Sequence, residues 1–155
     1  MSVRAFRPDD VEPCAAFMAD NPLWQRYGVT LEMARRQFAS GLERGVALFV
    51  VECDGEPGGF LWLEPVGAFA RSGYIRLIGV SPAQQGRGLG QALMEHAERV
   101  LFEKGDDVFL LVSDFNLAAQ RFYQRLGYAQ VGALPDYVLP GVAELIYRKR
   151  RPSVA

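Results

Sequence analysis

The chain has 155 residues, 50% of them hydrophobic and 23% charged, with 16 Gly and 9 Pro, a globular composition that excludes collagen-like, disordered and disulfide-scaffold classes. Its 17 Lys and Arg against 18 Asp and Glu leave a formal charge of -1, so no global positive field attracts a polyanion and nucleic acid is not an expected partner. Residues 1–12 hold no leader-like apolar run, and no stretch reaches the roughly 18 apolar residues of a membrane helix, so a cytoplasmic protein without a membrane partner is expected.

A single domain over 1–155 is expected, long enough to bury roughly two-thirds of the unfolded chain's surface. Residues 3–6 read as a first strand, and Asp9 is placed to cap a helix carrying Val11, Cys14, Ala15 and Met18 at helical spacing, which Asn21-Pro22 stops. Thr30 can cap a second helix with Leu31, Ala34, Phe38 and Leu42 on one stripe, ending near Gly45. The apolar run 46–53, the turn Asp54-Gly55 and the run 59–63 predict an antiparallel hairpin.

Residues 74–80 form a third strand of this group. A helix over 89–104 follows, with Leu89, Ala92, Leu93, Ala97, Val100 and Leu101 on one face and His96 on its flank. A buried strand over 108–112, a helix over 116–126 closed by Gly127, and strands over 128–131 and 143–147 complete the chain. The order is β-α-α-β-β-β-α-β-α-β-β, an α/β domain with a mixed sheet. The basic run 148–152 reads as a solvated end, with 151–155 a frayed tail. Cys14 and Cys53 lack the spacing of a redox or zinc motif, so two buried free thiols are expected over a disulfide, and no metal.

The chemistry concentrates in Gln85-Gly86-Arg87-Gly88-Leu89-Gly90, between a strand and a helix, where backbone amides unshielded by side chains can converge on a phosphate at the helix's positive end. It fits neither a Walker A loop nor the dinucleotide fingerprint, whose third glycine falls one residue later. Taken alone, the hexapeptide is equally a tight soluble turn.

Ile78-Gly79-Val80-Ser81-Pro82 followed by Gln85-x-x-Gly88-x-Gly90 resembles the acetyl-CoA signature of the GNAT N-acetyltransferase superfamily. Asn116, Ala119, Phe122, Tyr123 and Leu126-Gly127-Tyr128 resemble the family's second cofactor-side helix, and the element order matches from about residue 3 to 150. The resemblance implies a central, mostly antiparallel sheet splayed at the fourth and fifth strands, and acetyl-CoA as co-substrate. It puts the pyrophosphate on the amides from Gln85 to Gly90 and pairs the pantetheine arm with Ile78 and Val80. Gly79 then marks a bulge, a close approach or a packing contact. Arg87 adds a phosphate contact or is solvated.

The resemblance also implies direct attack of a neutral amine, with Tyr123 donating a proton to the departing thiolate. Asn116, two turns before Tyr123, is a helix cap, a cofactor contact or both. Family members that acetylate protein often carry a glutamate where Tyr74 and Arg76 stand here, which favours a small-molecule or amino-acid amine as acceptor. The general base is sought among Glu52, Glu64, Asp114 and Asp136, with Glu64 preferred. Trp24, Tyr27 and Tyr137 are candidate acceptor walls, although aromatics placed as Trp24 and Tyr27 are more often a local core cluster. Peptide acetylation and a non-catalytic acyl-CoA sensor are the alternative functions, and a homodimer is a habit of the family.

Overall fold

The computed structural model describes residues 1–153, so the last two residues of the expected tail lie outside the described residues. Its strands are β1 (Ser2–Ala5), β2 (Ala47–Cys53), β3 (Glu56–Ala68), β4 (Ser72–Val80), β5 (Asp107–Ser113), β6 (Ala129–Pro135) and β7 (Ala143–Arg150), and its helices α1 (Val11–Ala19), α2 (Pro22–Arg26), α3 (Leu31–Arg44), α4 (Leu89–Phe102) and α5 (Leu117–Arg125). The strands form one seven-stranded mixed sheet in the order β1-β2-β3-β4-β5-β7-β6. Beyond the expected order lie short 3-10 turns and the extra helix α2. The chain divides into two compact units, Met1–Leu63 with Leu77–Glu98, and Glu64–Arg76 with Arg99 onward.

In the first unit β2 runs antiparallel to β1 and to β3, with an irregularity at Val51/Glu52. Phe6, Phe38, Phe60 and Trp62 pack with Cys14, Ala15, Met18, Ala34, Leu48 and Val50 in one core. Asp9 does not cap α1. A 3-10 turn, Pro8–Asp10, intervenes, and the buried Asp10 carboxylate instead accepts from Arg7 N at 2.7 Å and from Arg4 Nη1 at 2.7 Å. Asn21-Pro22 ends α1 but also starts α2, because Asn21 Oδ1 accepts from Leu23 N at 2.9 Å and Pro22 needs no donor in the first turn. Thr30 caps α3 as expected, accepting from Met33 N at 3.2 Å, and Gly45 closes it at φ 69°. On α4 the buried stripe is Leu89, Leu93, Met94, Ala97 and Leu101, and the flanking His96 lies edge-on to Phe49 at 4.4 Å.

In the second unit β4 and β5 are parallel, but their pairs cover only Gly73–Val108, Tyr74–Phe109 and Ile75–Leu110, while β4 runs on to Val80. This is the expected parting of the fourth and fifth strands. Along its other edge β5 pairs with β7 over its whole length, antiparallel and in unbroken register from Asp107–Arg150 to Ser113–Glu144. The basic run is not a free end up to Arg151. Asp107 holds Arg148 and Arg150 at 2.8 and 3.3 Å, Arg151 N donates to Asp106 O, and its guanidinium reaches the carbonyls of Phe102 and Gly105. Phe102 ends α4 and Gly105 follows it, and a cation beside the carbonyls at a helix C-terminus is favourable.

Candidate active site

The loop 85–90 lies in the first unit, with Gln85, Gly86, Arg87 and Gly88 exposed. Gly86 and Gly88 take φ of 80° and 81°. A Cβ at either would meet nothing within 4 Å, so the left-handed backbone, not space, calls for glycine. Ala92 N donates to Gly88 O at 3.1 Å, closing the first turn of α4. The amides of Leu89 and Gly90 precede that bond and have no acceptor inside the helix. Donors at the positive end of a helix, after two glycines without side chains, form an anion cradle. Leu89 contributes only its backbone, since its side chain is buried with Cδ1 2.8 Å from where a Gly58 Cβ would lie. Arg87 Nη1 donates to Gln84 Oε1 at 2.6 Å, and Nη2 lies 3.4 Å from Asp54 Oδ2.

Ile78 and Val80, half-buried, lie beyond the last β4–β5 pair, on a strand edge that a linear ligand can extend by backbone pairing. Gly79 is a packing glycine: a Cβ there would lie 2.6 Å from both Phe60 Cζ and Trp24 Cη2. Trp24, on α2, thus covers β4 at Gly79 while its ring packs 5.6 Å from Phe60. Core member and wall of the strand are the same residue. Tyr27 caps the end of α2, half-buried.

The second unit holds Asn116, Tyr123, Glu64 and Tyr137. Asn116 Oδ1 accepts from Ala119 N at 3.2 Å, the helix-cap role. Tyr123 is 8% exposed, its ring 5.3, 6.0 and 6.4 Å from those of Phe122, Tyr128 and Tyr147. Burial pushes its hydroxyl pKa well above the ordinary tyrosine value, so it is protonated at neutral pH. Glu64 Oε1 lies 3.6 Å from Arg76 Nη1. Tyr137 is exposed on the β6–β7 connection, which Asp136 holds by accepting from Gly141 N at 2.6 Å.

The other candidate carboxylates have structural partners. Glu52 binds Arg4, and Asp114 Oδ2 accepts from Ala143 N at 3.0 Å. Glu144, within β7, is a further buried carboxylate, 8% exposed. Among the described residues no group of three or more His, Cys, Asp or Glu is placed to hold a metal ion, and no helix is long and apolar enough to cross a membrane. Cys14 and Cys53 are both free and buried.

Residues 13–128 match the profile of the Acetyltransferase (GNAT) family. The chain is 34% identical over 152 residues to a mycothiol acetyltransferase from Renibacterium salmoninarum, covering 90% of this chain and 44% of that protein. A second relative of the same name, from Salinispora tropica, is 33% identical over 149 residues, with 90% and 48% covered. The chain thus spans about half the length of the curated relatives it matches. A ribosomal-protein-alanine N-acetyltransferase from Brucella melitensis shares the fold at 20% identity, with a TM-score of 0.79 and 97% and 100% of the two chains covered. The match over residues 13–128, on a chain whose glycine loop and parted strands lie where that family's signature predicts, establishes that this chain belongs to the acetyltransferase (GNAT) family.

Proposed function

We propose that this chain is an acetyl-CoA-dependent N-acetyltransferase that moves an acetyl group to a primary amine of a small molecule or amino acid by direct attack. The observation that carries the reading is the pair of left-handed glycines, Gly86 and Gly88, set immediately before α4. The pyrophosphate is assigned to the amides of 85–90, and the pantetheine arm to the edge at Ile78 and Val80. The relatives named mycothiol acetyltransferase support a small-molecule acceptor.

In this reading the amine nitrogen bonds to the acetyl carbon, strand amides near Ile78 bind the oxyanion, and collapse expels the thiolate. Tyr123 supplies the thiolate's proton. Burial keeps its hydroxyl protonated at neutral pH, so the proton the role calls for is present. Trp24 and Tyr27 are assigned to the acceptor's wall beside β4, and Tyr137 is a further acceptor-binding candidate.

Thermal melts with acetyl-CoA and thiol release across amino acids, polyamines, aminoglycosides and short peptides test the proposal. Acetyl-CoA at about 100 times its Kd stabilises by about 2.7 kcal/mol, a rise in Tm of about 5–10 °C for a chain of this size. Tyr123→Phe is expected to lower turnover about 10²- to 10⁴-fold while keeping that rise. Turnover of peptides alone would redirect the reading to protein acetylation. A Tm rise without turnover of any amine would leave a cofactor sensor, and no Tm rise would remove the cradle assignment.

A further inference from the structure

We propose that Trp24 sets the length of the acyl group this chain accepts: its indole edge, seated on β4 at Gly79, admits acetyl and stops longer chains. The proposal rests on the acetyl-transfer reading and deepens it, since that reading assigns the thioester to this strand and leaves open which acyl groups fit there.

Every residue of this stop lies in the first unit. Gly79 stands between Ile78 and Val80, the two residues assigned to the pantetheine arm, and leaves a gap in the strand's row of side chains. Two rings reach into that gap. A Cβ at position 79 would lie 2.6 Å from Trp24 Cη2 and 2.6 Å from Phe60 Cζ, so the indole meets the strand with its apolar benzo edge. Leu77, two residues before Gly79 and therefore on the same face, packs against the same core. The wall is aromatic and aliphatic, the chemistry that meets the hydrocarbon end of a thioester.

A stop works only if it cannot retreat. Behind the indole, Phe60 lies 5.6 Å away, Phe38 lies 5.0 Å from Phe60, and Phe6 lies 5.3 Å from Phe38. The rings stand in file from the strand to the core, and Phe60 and Phe38 are fully buried. A close-packed interior yields little volume, so the indole has little room to swing back. Its backbone is held as firmly. The Trp24 carbonyl accepts from both Tyr27 N at 3.1 Å and Val29 N at 3.0 Å. Asn21 caps α2, and Gln25 Nε2 donates to Ala19 O at 2.9 Å, tying α2 to the end of α1. A helix of five residues is marginal on its own, and these ties fix it.

An acyl chain longer than acetyl must therefore displace a backed ring or lift off the strand. Either way the selection is steep, because one methylene too many in an apolar pocket is worth about 10- to 200-fold. Shortening the side chain at position 24 removes the stop and leaves the strand and Gly79 as they are.

The test is isothermal titration of the full chain, Trp24→Leu and Trp24→Phe with CoA, acetyl-CoA, propionyl-CoA and butyryl-CoA, which needs no acceptor. Each Kd is divided by the same protein's Kd for CoA, so a general loss of cofactor binding cancels. In the parent this ratio is expected to rise about 10- to 200-fold from acetyl-CoA to butyryl-CoA, and in Trp24→Leu by less than about 3-fold. Trp24→Phe falls between the two. Circular dichroism checks that each variant folds, and if Trp24→Leu does not, Trp24→Phe decides. A parent that binds butyryl-CoA as tightly as acetyl-CoA would overturn the assignment. So would a rise that survives undiminished in the variants, which would leave Trp24 as an acceptor wall only. A parent that binds neither CoA nor any of its thioesters would instead overturn the cofactor reading, and this proposal with it.

Discussion

A Cβ at position 79 would lie 2.6 Å from Phe60 Cζ and 2.6 Å from Trp24 Cη2, and neither ring is the loose end of a flexible chain. Phe60 is 0% exposed and packs edge-on to Phe38 at 5.0 Å, so the strain passes into the core. Gly79→Ala is expected to cost about 1–3 kcal/mol, the usual range for overpacking, read as a lowered denaturation midpoint with an unchanged m-value. The neighbouring Gly59 is stricter still. Its Cβ would lie 2.6 Å from the Gly79 carbonyl oxygen, and backbone cannot step aside. Neither requirement is visible in the one-dimensional pattern, where both residues read simply as glycines in strands. The glycine loop and Tyr123 are legible because their pattern is written in local order, glycines before a helix and a tyrosine on its spacing.

At the scale of elements, the β3–β4 connection carries an unusual turn. Phe69 and Ala70 take φ of 60° and 53°, with Arg71 N donating to Ala68 O at 3.1 Å, the shape of a type I′ hairpin in which Asn-Gly is the preferred pair. Neither residue suits it, and each left-handed residue with a Cβ costs roughly 1–2 kcal/mol. Ala70→Gly relieves one of them, against about 0.4–1 kcal/mol of added unfolded-chain entropy. The net is a gain of up to about 1.6 kcal/mol, raising Tm by up to about 3–6 °C in a scanning melt. That mismatch also explains why the sequence ends β3 at residue 63 when the strand runs to Ala68: no Gly, Asn or Asp marks the true turn. Helix α2 escapes the sequence pattern for the opposite reason. Asn21-Pro22 is a helix start as well as a stop, and a five-residue helix is too short to show periodicity. Where caps and stripes are long, as in α3 and α4, the sequence speaks clearly.

For the molecule as a whole, acid stability should depend on the Arg4–Asp10–Glu52 group. Burial raises the Asp10 pKa, but hydrogen bonds from Arg4 and Arg7 N outweigh it and leave the carboxyl below the usual aspartate value. A group with a depressed folded pKa stabilises above its unfolded value of about 3.9 and loses that contribution as pH falls through the folded value. Asp10→Asn is therefore expected to lower stability at neutral pH by about 1–3 kcal/mol and to flatten the acid limb of the stability curve below about pH 4. Denaturant melts at neutral pH and near pH 3 check both. An unchanged acid limb in the Asp10→Asn variant would assign the acid loss to other carboxylates.

The contact between Trp24 and Gly79 also gives the protein an optical signal of its own. Its two tryptophans differ: Trp62 is 0% exposed, sealed in the core, whereas Trp24 is half-buried with its ring edge on the strand to which the thioester is assigned. Emission from Trp62 is a constant background. Quenching or a blue shift of Trp24 then reports the filling of that strand edge in real time, without a label, so acyl-chain preference can be ranked by titration before any acceptor is known.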